Sequence, residues 1–251
     1  MQLPAINCRE LFFLRILHGA NRLISCVSDF SILIYKPDMY KKLLLFLLLF
    51  KLLPASAQTD WKFNSENDGI KIYTSIVPDS KIKAIRVECD YKATPSQFIA
   101  VLLDIKDSPE WLYHTKFCRV FKQVSPQELY YYSEVTLPWP AENRDFVSHL
   151  TVSQNPTTKV VLVDGPAVPG FIPIKSGIVR VDHSGSQWEI TPLSKDEIRV
   201  KYTLHVDPGG ALPAWLINMF ATEAPTQIFK NLKTELLKPA YKNATFPFIQ
   251  N

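Results

Sequence analysis

The most regular alternation in the chain lies near its C-terminal end. Ile198, Val200, Tyr202, Leu204 and Val206 alternate with Arg199, Lys201, Thr203 and His205. Strict period two describes a strand with one buried and one wetted face. Less regular alternation gives further strands over 61–65, 70–76, 82–91, 116–124, 127–137, 145–154, 158–164, 177–183 and 186–192, with the regular one spanning 197–206. Asp68-Gly69 and Pro78-Asp79-Ser80 supply turns between the first three. Within 82–91 the apolar parity switches after Ala84, which predicts a bulge. Segments 177–183 and 186–192 also read as one bent strand broken at Ser184-Gly185.

Helical periodicity occurs in three places. Thr94-Pro95-Ser96-Gln97 offers an N-cap, a Pro at the first helical position and a Gln able to close a capping box. Phe98, Ile99, Val101, Leu102 and Ile105 continue that stripe. Ser108-Pro109-Glu110 opens a second short helix carrying Trp111, Leu112 and Tyr113. A long helix runs from Pro213 to about Lys238, with Phe220, Ala224, Ile228, Leu232 and Leu236 every four residues. Pro225 removes the bond to the Ala221 carbonyl and predicts a kink there. The sum is an α+β fold of the helix-grip kind. A curved antiparallel sheet of about nine strands wraps on a long C-terminal helix and leaves an internal apolar cavity.

The N-terminal quarter follows another logic. Met39-Tyr40-Lys41-Lys42, an eleven-residue run from Leu43 to Leu53, and Pro54-Ala55-Ser56-Ala57 form the three regions of a secretory signal peptide. The run is shorter than the roughly 20 residues a membrane span needs, and Lys51 interrupts it. Residues 1–38 carry apolar clusters without a clear period, and we read them as an over-extended gene model, with a genuine long presequence as the alternative. One domain, 58–251, follows. The expected location is outside the cytoplasmic membrane, periplasmic or extracellular.

Charge supports the division. Residues 1–57 hold seven Lys/Arg and three Asp/Glu, which accounts for the formal +4, and 58–251 carry 21 of each sign. A neutral body has no excess of cations with which to displace counterions from phosphate, so no nucleic-acid partner is expected. Only Cys89 and Cys118 remain after residue 57, at a spacing that fits no metal or redox motif. No Gly-x-Ser-x-Gly, His-Glu-x-x-His, Cys-x-x-Cys or phosphate loop occurs, and His114, His149, His183 and His205 are scattered. No catalytic residue, metal or cofactor is assigned.

Several ordered segments resemble the StAR-related lipid-transfer (START) domain family. They are Ser108-Pro109-Glu110-Trp111, Asn143-Arg144-Asp145-Phe146-Val147, the stretch from Gly185 through Trp188 to Pro192, and Val200-Lys201-Tyr202 followed by Asp207-Pro208-Gly209-Gly210 and Pro213-Ala214-Trp215. The resemblance covers roughly 60–242. It implies a tunnel for a sterol, phospholipid or other apolar molecule, closed by the C-terminal helix and nearby loops, with no covalent chemistry. Sterol-carrying members pair a buried carboxylate with an Arg. Glu134 matches the carboxylate, but Leu150 stands near the Arg position.

The candidate ligand-contacting residues are Glu134, Arg144, Phe171, Ile172, Trp188, Tyr202, Trp215 and Phe220. Arg144-Asp145 reads either as an ion pair at the start of its strand or as a polar group at the cavity floor. Asp207-Pro208-Gly209-Gly210 reads as a sharp strand-to-helix turn. The loop from Asp164 to Ile174 carries Val168, Phe171 and Ile172 on Pro/Gly-rich backbone and reads as a packed loop, or as a gate over the first half of the closing helix. The expected protein is a monomeric lipid carrier or sensor with transient membrane contact. An enzyme of the cyclase or hydratase type, using Tyr or Glu134 as acid or base, is the rival from another class. An interaction domain with a vestigial cavity is the third reading.

A chain initiated at Met39 is expected to be exported and trimmed to begin at Gln58. N-terminal sequencing checks this, and an intact N-terminus on cytoplasmic protein would overturn it.

Overall fold

The structure is a computed structural model that describes residues 60–251 apart from 79, 81 and 211, with positions 214 and 218 described by backbone only. Residues 1–59, with the expected signal peptide and the stretch before it, lie outside the described residues. Ten strands form one sheet: β1 (Lys62–Asn67), β2 (Ile70–Ser75), β3 (Ala84–Tyr91), β4 (Thr115–Ser125), β5 (Glu128–Val135), β6 (Asn143–Gln154), β7 (Val161–Pro166), β8 (Ile178–Arg180), β9 (His183–Pro192) and β10 (Ile198–Asp207). Their spatial order is β1-β2-β3-β10-β9-β7-β6-β5-β4, all antiparallel, with β8 paired off this path to β6.

β8 corrects two expectations. It runs parallel to β6, and the break falls at Val181-Asp182 instead of Ser184-Gly185, so β9 is continuous through that dipeptide. The reason is local. β7 leaves β6 after pairing at Thr151–Gln154, and the exposed first half of β6 takes β8 as its new neighbour. No bulge forms near Ala84. Ala84 is instead the first residue of β3, in regular register with β2, so the parity switch marks the loop's end.

Helix α1 (Pro95–Leu103) starts where its cap predicts, with the Thr94 hydroxyl accepting from the Gln97 amide at 3.1 Å. Gln97 does not close a capping box. Its side-chain amide donates to the Leu236 carbonyl at 2.6 Å, tying α1 to the end of the closing helix. The predicted second helix is one 3-10 turn, Ser108–Glu110.

The closing helix has three parts: α2 (Ala214–Asn218), a π turn (Met219–Glu223) and α3 (Ala224–Glu235), followed by the short α4 (Pro239–Lys242). Pro225 therefore sits in the first turn of α3, where its missing N–H costs little, and the wider π turn before it replaces the expected kink. The sheet holds this helix by side chains as well as by packing. The Tyr91 hydroxyl donates to the Phe229 carbonyl at 3.0 Å, and Asn231 donates to the Trp111 carbonyl at 3.2 Å.

The solid core occupies one end of the sheet, where α1 and α3 cover β2, β3, β9 and β10. Trp188 is its centre, with Tyr202 at 4.1 Å, Phe229 at 5.7 Å, Phe98 at 5.8 Å and Trp111 at 6.5 Å between ring centroids. Cys89 and Cys118 are free and buried on strands at opposite parts of the sheet order. Burial pushes both thiols up, Cys118 to about 12.

Outside the sheet a strap, residues 167–177, crosses the outer face of β5 and β6. Arg180 pins it. Its Nε and Nη2 donate to Asp145 at 2.7 and 3.1 Å, and its remaining donors reach the carbonyls of Pro169, Ile172 and Pro173 at 2.6, 3.1 and 3.3 Å. All five guanidinium N–H groups are thus used, and the charge is paired inside the protein. Asp145→Ala leaves that guanidinium buried and unpaired, so it is expected to lower the unfolding free energy by roughly 3–5 kcal/mol in urea titration. A loss below about 1 kcal/mol, the scale of an exposed pair, would show that the strap is not held this way.

Candidate functional site: a chamber between sheet and helix

The other end of the sheet is hollow. A chamber of about 570 Å³ lies between the inner face and the closing helix, within the size range of small-molecule sites. Its walls follow from strand alternation. β5 contributes Tyr131, Ser133 and Val135, β6 contributes Arg144, Phe146 and Ser148, and β10 contributes Tyr202, Leu204 and Val206. The helix closes the remaining side with Leu216, Ile217, Phe220, Ala221, Ala224 and Ile228. The floor is Tyr202 and Phe229, 6.2 Å apart, resting on the aromatic core.

Three of the eight sequence-selected residues, Arg144, Tyr202 and Phe220, line this chamber. Trp188 is buried outside the lining, opposite Tyr202 on the neighbouring strand with its ring tilted against the Tyr202 ring. Trp215 is half-exposed on α2 and lies outside the lining.

Glu134 is on the wrong face. Its neighbours Ser133 and Val135 point inward, so Glu134 points out, where it takes Lys116 at 2.9 Å and Asn143 at 3.3 Å with Lys175 at 3.9 Å. Burial raises its pKa, but the two ammonium groups and the Asn143 amide outweigh that and hold it below the ordinary value. The assignment of Glu134 as a ligand-facing carboxylate is therefore corrected. The same alternation leaves only Tyr131 of the run Tyr130-Tyr131-Tyr132 facing inward.

Phe171 and Ile172 are likewise outside. The Phe171 ring stacks on Tyr130 at 4.4 Å, and Tyr130 stacks on His149 at 4.3 Å, all on the outer face. The Ile172 carbonyl belongs to the Arg180 cluster. The expected packing of this loop against the closing helix is not present, because Arg180 draws the strap to the opposite side of the sheet. Phe220 meets Tyr113 instead, edge-on at 5.9 Å.

Arg144 and Asp145 do not pair with each other. Adjacent strand residues point to opposite faces, so Asp145 meets Arg180 outside while Arg144 enters the chamber. Arg144 donates to the carbonyls of Glu142, Gly209 and Pro208 at 2.6, 3.0 and 3.2 Å, which fixes the turn at the root of the closing helix. That turn needs its glycines, since Gly209 and Gly210 both adopt φ +66°.

The chamber has little acid–base capacity. Tyr131 and Tyr202 are pushed up chiefly by burial, and no carboxylate, imidazole or thiol belongs to the described lining. Tyr131, Ser133, Phe146 and Ser148 also line the chamber, and the sequence pattern does not single them out because both faces of β5 and β6 are largely buried.

An antiparallel sheet curved round a helix, with the chamber between them, defines the helix-grip class. The START domain sequence model matches residues 48–238, and the chain belongs to that family. An uncharacterized protein of Pseudomonas aeruginosa is 33% identical over 175 residues, covering 70% of this chain and 86% of that one. The phosphatidylcholine transfer protein of Mus musculus is 29% identical over 185 residues, covering 71% and 85%. The crystal structure of a fragment of the STAR-related lipid transfer protein of Xanthomonas axonopodis superposes with a TM-score of 0.65 at 31% identity, covering 71% of this chain and 99% of that one.

The pushed-up phenols predict an alkaline limit to stability. Tyr91, Tyr131, Tyr132, Tyr202 and Tyr241 are all pushed above the ordinary phenol value, chiefly by burial. A folded pKa above the unfolded one means stability is full below about pH 10 and falls as pH rises above it. Absorbance titration should show these phenols ionising only with loss of the circular dichroism signal. Ionisation of every tyrosine in one step near pH 10, with the fold intact, would contradict the burial described.

Proposed function

We propose that the protein is a lipid carrier that holds one amphiphile in the chamber. The observation that carries this reading is the chamber itself, an apolar-walled space of about 570 Å³ closed by a single helix. Family membership and the relatives named for lipid transfer support it. The lining offers hydroxyls, one buried guanidinium and Lys83, and among the described residues it holds no carboxylate, imidazole or thiol. That argues for a carrier over a cyclase or hydratase.

The signal-like segment 39–57 supports export to the periplasm or beyond the cell. A monomer suffices, because one chain supplies every wall of the chamber. Membrane contact is proposed at the end of the sheet nearest Arg144. There the loop 136–142 carries Trp139, 90% exposed, while Ile76 and Trp215 are 69% and 51% exposed. Trp at such a tip suits the headgroup layer, where its ring is apolar and its N–H is wet.

Native mass spectrometry of the full chain purified from its host should show one bound species that extracts unchanged as lipid. Trp139→Ser should retain that bound mass and slow lipid exchange between vesicles several-fold. Protein that is empty, and whose melting temperature does not move with any lipid offered, overturns the carrier reading.

A further inference from the structure

The charges around β6 are unequal. Outside, Arg180 spends all five N–H groups and is matched by Asp145. Inside, Arg144 is 5% exposed, spends three N–H groups on neutral carbonyls, and forms no ion pair among the described residues. Burial pulls its pKa down, with only the Glu142 carboxylate acting against that. The other cation of the lining is Lys83, and the lining contains no carboxylate. A buried guanidinium with two unspent donors, facing a space without anions, is complementary to an anion brought in by the ligand.

Size narrows the ligand further. At roughly 30 Å³ for each water-sized group, the chamber takes about twenty non-hydrogen atoms. That is one long acyl chain with a compact head; a phospholipid with two long chains has more than twice as many. Orientation follows from β10. Tyr202 marks the floor and Pro208, which bonds Arg144, marks the other end, about 20 Å away at 3.3 Å per residue. An extended single chain spans that distance, with its tail on Tyr202 and Phe229 and its head at Arg144. Ser133 and Ser148, on the same inner face, offer hydroxyls one and two pleats along.

We propose that the ligand is a single-chain amphiphile with an anionic head, a carboxylate or a phosphate monoester, seated on Arg144 with the chain running to the Tyr202–Phe229 floor. This rests on the carrier reading and names its ligand class.

The test compares affinities for the full chain, delipidated, by calorimetry at pH 8. The probes are palmitate, 1-palmitoyl lysophosphatidate, hexadecanol and dipalmitoyl phosphatidylcholine. At least one of the two anions should bind tenfold or more tightly than hexadecanol, which has the same chain and a neutral head. That ratio should collapse toward one in Arg144→Gln and recover in part in Arg144→Lys. The palmitate and hexadecanol arms need no variant, so they decide the question even if Arg144→Gln fails to fold. Hexadecanol equal to both anions overturns the anionic head. Phosphatidylcholine binding as tightly as the anions overturns the single chain. Either result leaves the carrier standing, whereas no binding by any of the four removes the carrier as well.

Discussion

The arrangement depends on the pleat of β6. Because successive side chains point to opposite faces, Arg144 and Asp145 are neighbours in sequence and have almost nothing else in common. Asp145 holds the outer strap through Arg180, and Arg144 holds the Pro208–Gly209 turn through their carbonyls. One strand thus anchors the two long connections of the fold, one on each side. A slip of one residue in its register would place a carboxylate in the chamber and leave Arg180 without a counter-ion. The cost of burying an unpaired charge makes that slip prohibitive, so the pair specifies register more than it adds stability.

A hollow protein must find its stability elsewhere. Here the division is lengthwise: the aromatic cluster round Trp188 fills one end, and the chamber takes the other. Tyr202 and Phe229 belong to both, being the last packed layer and the first exposed one. Side chains at this boundary are held on one side only, so a ligand tail resting on them completes packing that the chain alone leaves open.

Legibility in the sequence tracks contrast between faces. β10 was readable because one side meets the core and chamber and the other meets water. β5 and β6 were not, since the strap covers their outer face and buries Tyr132, Glu134, Asp145 and Val147 there. With both faces buried, Glu134 and Ser133 look alike in the sequence. The error about Phe171 has the same origin: its cover is Tyr130, on a strand face that no alternation in the sequence marks as dry. The helix-grip architecture, by contrast, follows from element order and period alone. Tyr202 and Phe220 were reachable because each sits on an element whose inward face was already defined, whereas Arg144 came from the family motif and not from alternation.

The closing helix shows how one residue reshapes a wall. Pro225 cannot donate to the Ala221 carbonyl, and a regular helix would bend away from the sheet at that point. The π turn over Met219–Glu223 instead widens the preceding turn, so the axis carries on into α3. One consequence is visible in the lining, where Phe220, Ala221 and Thr222 stand in sequence and Ala224 and Pro225 follow. Consecutive residues of a regular α-helix fan out by about 100°, which turns the third of any three well away from the first. Five lining positions among six residues therefore wrap part of the way round this turn instead of forming one narrow stripe. Pro225 therefore sits at little cost in the first turn of α3, beside the small residues Ala221 and Ala224 that line the space shared with Arg144 and Phe146.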